Sequence, residues 1–233
     1  MKKAILTFVT VCTVAMFTAC ETNKTVKGTA IGAGGGAALG ALAGLLFKDK
    51  GKGAVIGASI GTAVGAGTGA LIGKHMDKKA AELQKELEKN AQVETVTDGN
   101  GLTAIKVTFE QGILFATNAT ELKAEAKTPL TNFAKEITQS DLVNTDVLIK
   151  GHTDNTGTRE VNDRISLQRA QSVGNLLRSN GVASVRITEA GMAYDEPVAS
   201  NETAEGRAQN RRVEVFLLAN EGMVQQAANN QLK

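Results

Sequence analysis

Tryptophan is absent from these 233 residues, and the chain carries one tyrosine and seven phenylalanines. That excludes the stacked aromatic platforms on which single-strand nucleic-acid binders lay bases. Charge points the same way. The 26 basic residues face 24 acidic ones, and loss of Lys2 and Lys3 with the leader described below leaves 24 against 24. A neutral chain has no electrostatic footprint for nucleic acid. Both cysteines, Cys12 and Cys20, lie in the first twenty residues. Cys12 falls inside the leader, so an exported chain would have no thiol pair and no disulfide. His152 is the one histidine of the C-terminal half, with no cysteine near it, which offers neither a zinc cluster nor a Cys–His pair.

The leader reads "MKKAILTFVTVCTVAMFTAC": two lysines, an apolar run from Ala4 to Phe17, then small residues before Cys20. This is a secretory signal pattern, 1–19, with a run too short for a membrane anchor of about 20 residues. Phe17-Thr18-Ala19-Cys20 resembles the bacterial lipobox, whose cysteine is acylated and becomes the new N-terminus; Phe17 stands where leucine is usual. The resemblance implies a lipidated segment, 20–27, held in membrane lipid through acylated Cys20. An ordinary cut near Ala19, leaving Cys20 as a free thiol, is the alternative. Glu21 is not the aspartate that favours retention in the inner membrane, which implies the outer membrane.

Charge is also missing from 28–47 and from 53–73, and inside these windows glycine recurs every fourth residue. One ladder is Gly28, Gly32, Gly36, Gly40 and Gly44; the other is Gly53, Gly57, Gly61, Gly65, Gly69 and Gly73. A period of four draws one stripe on an α-helix. Each glycine costs about 1 kcal/mol against alanine in a helix, so a kept register implies close backbone approach. The pattern resembles the glycine-zipper segments of outer-membrane lipoproteins and predicts a helical hairpin, 28–74, closed by "KDKGK". Insertion in the bilayer and self-association of hairpins at its surface, which would give a homo-oligomer, both fit the pattern.

The next stretch, 75–92, turns charged and helix-favouring. Met76, Ala80, Leu83 and Leu87 form a narrow seam, which predicts a solvated connecting helix with His75 in water. From 93 to 220 strand and helix signals alternate. "VETVT" and "LTAIKVTF" flank the hairpin signal "DGNG"; 121–139 is helical, with Pro129 near its first turns; 145–151 is a strand. A helix near 162–180 ends at Gly181, and strands follow at 184–191 and 211–219, before a polar tail, 221–233. The fold class is therefore α+β, one mixed sheet with helices on one face, preceded by the zipper hairpin.

One stretch of this domain, "GHTDNTGTREVNDRISLQRA", runs from a strand end through a loop into a helix, a common place for a ligand in α/β sheets. Asn162 and Arg169 lie seven residues apart, about 700° round a helix, and so share one face. Arg169 borders the core side there, and a guanidinium in that position wants an anion. With Asp154 in the loop, the pair could hold a zwitterion, ammonium on Asp154 and carboxylate on Arg169. It could equally form an internal Asp154–Arg169 salt bridge with Asn162 as a helix N-cap.

The string "GHTDNTG…N…ISLQRAQSV…GRAQNRRVEV", within 103–219, resembles the OmpA-like, peptidoglycan-associated family. The resemblance implies a non-catalytic domain that holds the diaminopimelate side chain of peptidoglycan stem peptides, with no cofactor and no metal. It places the ligand ammonium at Asp154 and the carboxylate at Arg169, with Asn162 and Asn118 supporting and Thr153 and Arg211 as weaker contacts. Ala116 stands where many relatives have aspartate, and Arg207 and Arg212 read mainly as structural. The implied protein is no enzyme but an anchor in the outer membrane, its C-terminal domain in the periplasm on peptidoglycan. The alternative makes the zipper an oligomer or channel and the domain its locator. A proton-driven motor stator is excluded, because neither uncharged window holds an acid.

Overall fold

A computed structural model describes residues 64–87, 90–116 and 118–232. Cys20, the first glycine ladder with Gly32, Gly36, Gly40 and Gly44, and Gly57 and Gly61 of the second lie outside the described residues.

The elements run α1 (Ala66–Leu87), β1 (Gln92–Thr97), β2 (Thr103–Glu110), α2 (Gln111–Leu114), α3 (Ala124–Gln139), β3 (Thr145–Gly151), α4 (Arg159–Ser179), β4 (Ile187–Gly191), α5 (Ala204–Asn210), β5 (Arg212–Ala219) and α6 (Glu221–Ala228). One sheet, in the order β1-β2-β5-β3-β4, is antiparallel throughout except for the parallel pair β3 and β4. That pair is joined by α4, the helical crossover that a parallel connection requires. Strand β5 is buried along its whole length, as a central strand with apolar residues on both faces should be.

Alternation sorts the sheet into two faces. Ile105, Val107, Phe109, Val147, Ile149, Val213, Val215 and Leu217 enter the main core, with Leu130, Phe133 and Ile137 of α3 and Ala170, Val173 and Leu177 of α4. Ala104, Leu148, Ala190, Phe216 and Leu218 form a second, smaller cluster on the other face. The mixed sheet with its described helices packed on one face agrees with the α+β expectation.

Three boundaries differ from the sequence reading, each because tertiary packing overrides local composition. The 75–92 stretch is not a solvated connector. Helix α1 carries 75–87 of it and begins within the second glycine window, and it lays Ile72, Met76, Ala80, Leu83 and Leu87 into the main core; His75 is buried with them. The seam packs on β1, β2 and α6, and the Gln84 side-chain oxygen accepts the Val93 N–H at 2.8 Å. Each large apolar side chain buried there contributes roughly 1.5–3 kcal/mol, an upper estimate since the unfolded chain already hides part of it. The polar tail carries a helix of its own, α6. Asn220 caps α6, accepting from the Met223 N–H, and α6 buries Met223 and Ala227. Residues 184–186 form a 3₁₀ turn before β4, because Arg186 turns inward to donate to the carbonyls of Ile137, Leu142 and Thr145. Pro129 sits at the sixth position of α3, past the first turn.

Candidate functional site

The strand β3 ends at Gly151 under α4. A Cβ there would collide with the Ser166 carbonyl oxygen, so a residue without a side chain is what lets the helix lie this close. The chain then leaves the sheet as His152-Thr153-Asp154. The His152 N–H donates to the Arg212 carbonyl at 2.9 Å and the Thr153 N–H to that of Ala193 at 2.8 Å, which fixes the strand end between two neighbours. Gly157, at φ +87°, turns the loop into α4, and Thr158 caps the helix by accepting from the Val161 N–H.

Asp154 is 8% exposed. One carboxylate oxygen accepts the Thr156 N–H at 2.8 Å, and the other accepts from Arg211 Nη1 at 2.6 Å. Burial pushes the carboxyl up, but the Arg211 guanidinium and the Thr156 N–H outweigh it and hold Asp154 below the usual carboxylate range. The sequence left open an internal Asp154–Arg169 bridge; the partner is instead Arg211, which follows α5 directly and reaches across the loop. Asn162 is not the N-cap. It lies in the first turn of α4, and its amide donates to the carbonyls of Thr156 and Thr158, bracing the loop that carries Asp154.

Arg169 is 4% exposed. Its Nε donates to the Ala119 carbonyl at 3.0 Å and its Nη1 to the Gln111 side-chain oxygen at 3.2 Å, while the guanidinium carbon lies 5.5 Å from the centre of the Phe115 ring. Among the described residues no carboxylate pairs with it. Burial first, then repulsion from Arg211, pushes its pKa down to about 10, with Asp154 working in the opposite direction. At neutral pH the group stays charged, held by neutral acceptors alone.

Two guanidinium groups and one carboxylate thus share the end of the sheet, which leaves a local excess of positive charge. Asn118 is exposed on the loop beside Arg169, in the left-handed region at φ 59°. Thr153 is buried, its hydroxyl without a hydrogen-bond partner. Gln111, Phe115 and the Ala119 carbonyl were not identified from sequence. Nothing local marks them, since they meet Arg169 only through contacts spanning 50 or more positions.

A second polar cluster lies beside this site. Ligand atoms of His152, Glu196 and Glu214 lie within 4.8 Å of one another, which raises the question of a metal. Lys150 already sits 3.1 Å from Glu196, and Arg212 sits 2.8 Å from Glu214. A divalent cation would have to enter against both. Burial holds His152 below its usual pKa, and Glu214 is pushed down to about 2 as His152 and Arg212 outweigh its burial. The cluster is a neutralised brace under the loop. Arg212 also donates to the Asn210 and Glu196 carbonyls and Arg207 to those of Asn201 and Glu202, in line with structural roles.

Fold and site together describe an α+β sheet whose end carries one carboxylate, Asp154, and two guanidinium groups, Arg169 and Arg211. Residues 114–211 match the OmpA family, and residues 1–81 match the YMGG-like Gly-zipper family. The solved "cell wall anchor of the T6SS from Pseudomonas aeruginosa" is 31% identical, with a TM-score of 0.52 over 60% of this chain and 97% of that one. The chain belongs to the OmpA family.

Among curated relatives, the outer-membrane lipoprotein YfiB of Pseudomonas aeruginosa is 35% identical over 46% of this chain and 62% of its own. The peptidoglycan-binding protein ArfA of Mycobacterium bovis is 49% identical over 30% of this chain and 22% of its own. The chain spans 22–62% of the length of the curated relatives it matches.

Proposed function

We propose that this protein is a non-catalytic lipoprotein that ties the outer membrane to the cell wall, lipid-anchored through Cys20 and holding peptidoglycan with its C-terminal domain. The ligand is the diaminopimelate of the stem peptide, whose far end presents an ammonium and a carboxylate. The observation that carries the reading is Arg169, a buried guanidinium paired with no carboxylate among the described residues. A buried charge without a counter-ion is costly, and an incoming carboxylate removes that cost while accepting forked hydrogen bonds. Asp154 supplies the other half. Its present partner, Arg211, is more exposed than Asp154, with side-chain exposures of 36% and 11%, and can yield its place to a ligand ammonium.

Asn162 holds the Asp154 loop in position from within α4, and Gln111 aims the Arg169 fork; Asn118 and Thr153 complete the rim. The names of ArfA and of the wall anchor support this reading, and that of YfiB supports the membrane. The test is co-sedimentation of the mature chain with purified sacculi. Wild type should sediment, and Asp154→Ala and Arg169→Ala should each remain in the supernatant while folded by circular dichroism. A folded double variant that still sediments places the binding site elsewhere.

A further inference from the structure

The second glycine ladder does not end where its uncharged window ends. Helix α1 begins inside that window and continues without a break to Leu87. Its apolar side is buried from Ile72 onward, and Val64, ahead of the helix, already packs against the core. The last two ladder glycines face the domain. A Cβ on Gly73 would stand 3.1 Å from the Thr103 hydroxyl, tighter than ordinary contact, and one on Gly69 would stand 3.8 Å from Leu102. The close approach that a four-residue glycine period implies is therefore spent, at this end, on the β1–β2 hairpin of the same domain.

This shortens what is left for a membrane. With Val64 packed on the core and Gly69 and Gly73 against the β1–β2 hairpin, the uncharged part of the second window ahead of them is 53–63, about 17 Å as a helix against a hydrocarbon core of about 30 Å. Among the described residues no helix is long and apolar enough to cross a membrane. The first window, 28–47, has the length for one crossing. Parity forbids it, given the proposed function on which this inference rests. A lipid on Cys20 in the inner leaflet and a domain on the wall lie on the same side of the outer membrane, so the chain between them crosses an even number of times. The second window has no room for a return.

We propose that the glycine-zipper segment does not cross the bilayer. It stays on the periplasmic side, and the end of its second ladder is a docking seam that fixes the zipper directly to the wall-binding domain.

Accessibility of single cysteines tests this in the full-length lipoprotein, whose mature form has no thiol besides acylated Cys20. Lys50→Cys marks the turn between the ladders, and Val185→Cys, at a position 93% exposed, marks the domain. Intact cells are treated with a membrane-impermeant maleimide, then again after the outer membrane is permeabilised. Both cysteines should react only after permeabilisation. Lys50→Cys reacting in intact cells while Val185→Cys does not means that the hairpin crosses, and overturns the inference alone. Lys50→Cys that stays unreactive after permeabilisation lies in the bilayer and overturns it too. Val185→Cys reacting in intact cells removes the periplasmic placement of the domain, and with it the parity argument.

Discussion

Replacing Arg169 by methionine should separate folding from binding. Methionine keeps the length of the side chain and removes the charge. The depression of the Arg169 pKa from 12.5 to about 10 means that the charged form is held against a gradient, on the order of 3 kcal/mol at about 1.4 kcal/mol per unit. The substitution releases that cost. It also removes two hydrogen bonds, to Ala119 and Gln111, worth about 1–3 kcal/mol each for a charged donor. The two effects oppose each other, so the net change should lie between a gain of about 1 kcal/mol and a loss of about 3 kcal/mol.

Arg186 is the control. It is another buried arginine, but its donors are spread over the carbonyls of Ile137, Leu142 and Thr145. Arg186→Met leaves three buried acceptors unpaired at about 1–3 kcal/mol each, which offsets the release of the burial that lowers the Arg186 pKa. At roughly 2–4 °C per kcal/mol for a chain of this size, Arg169→Met should stay nearer to wild type by thermal melting, and Arg186→Met should fall well below it. Sedimentation with sacculi should show the reverse order, with Arg169→Met lost and Arg186→Met retained below its melting range. An Arg169→Met variant that melts as low as Arg186→Met would refute the argument, because Arg169 would then be a structural residue rather than a held cation.

Further outcomes follow from the same geometry. Acetylating the side-chain amine of a diaminopimelate tetrapeptide should weaken its binding at least tenfold by calorimetry, because a neutral amide cannot replace the cation that Asp154 now holds; equal binding of the two peptides would remove Asp154 from the ammonium role. The folded-state pKa of Glu214 lies below its ordinary value, so its stabilising contribution should be complete above about pH 4.5 and lost as pH falls toward about 2. Glu214→Gln should flatten that acid limb and lower stability at pH 7, and an unchanged limb counts against the His152–Glu214–Arg212 brace. Leu83→Ala in α1 should cost about 2–5 kcal/mol in denaturant unfolding, as for a core leucine. A cost under 1 kcal/mol would return α1 to the status of a linker.

Periodicity and turn chemistry made much of this domain readable in advance. The hairpin at "DGNG", the strand 145–151 and the helix ended by Gly181 depend on side chains a few positions apart, so local sequence decides them. The shared face of Asn162 and Arg169 is a property of helix geometry and needs no tertiary contact. The docking of helix α1 is not legible in the same way, because a charged surface and a narrow seam read alike whether the seam meets water or a sheet.

The order of elements, the glycine period and the residue types near the end of β3 are therefore legible along the chain. The partners of those residues are set by packing. Arg211 rather than Arg169 holds Asp154 across 57 positions, Gln111 and Ala119 hold Arg169 across 58 and 50, and the last ladder glycines face Leu102 and Thr103. Charge carries no address along the chain. An arginine in the sequence is compatible with any carboxylate or carbonyl in reach, and reach is set by the packing of the helices on the sheet.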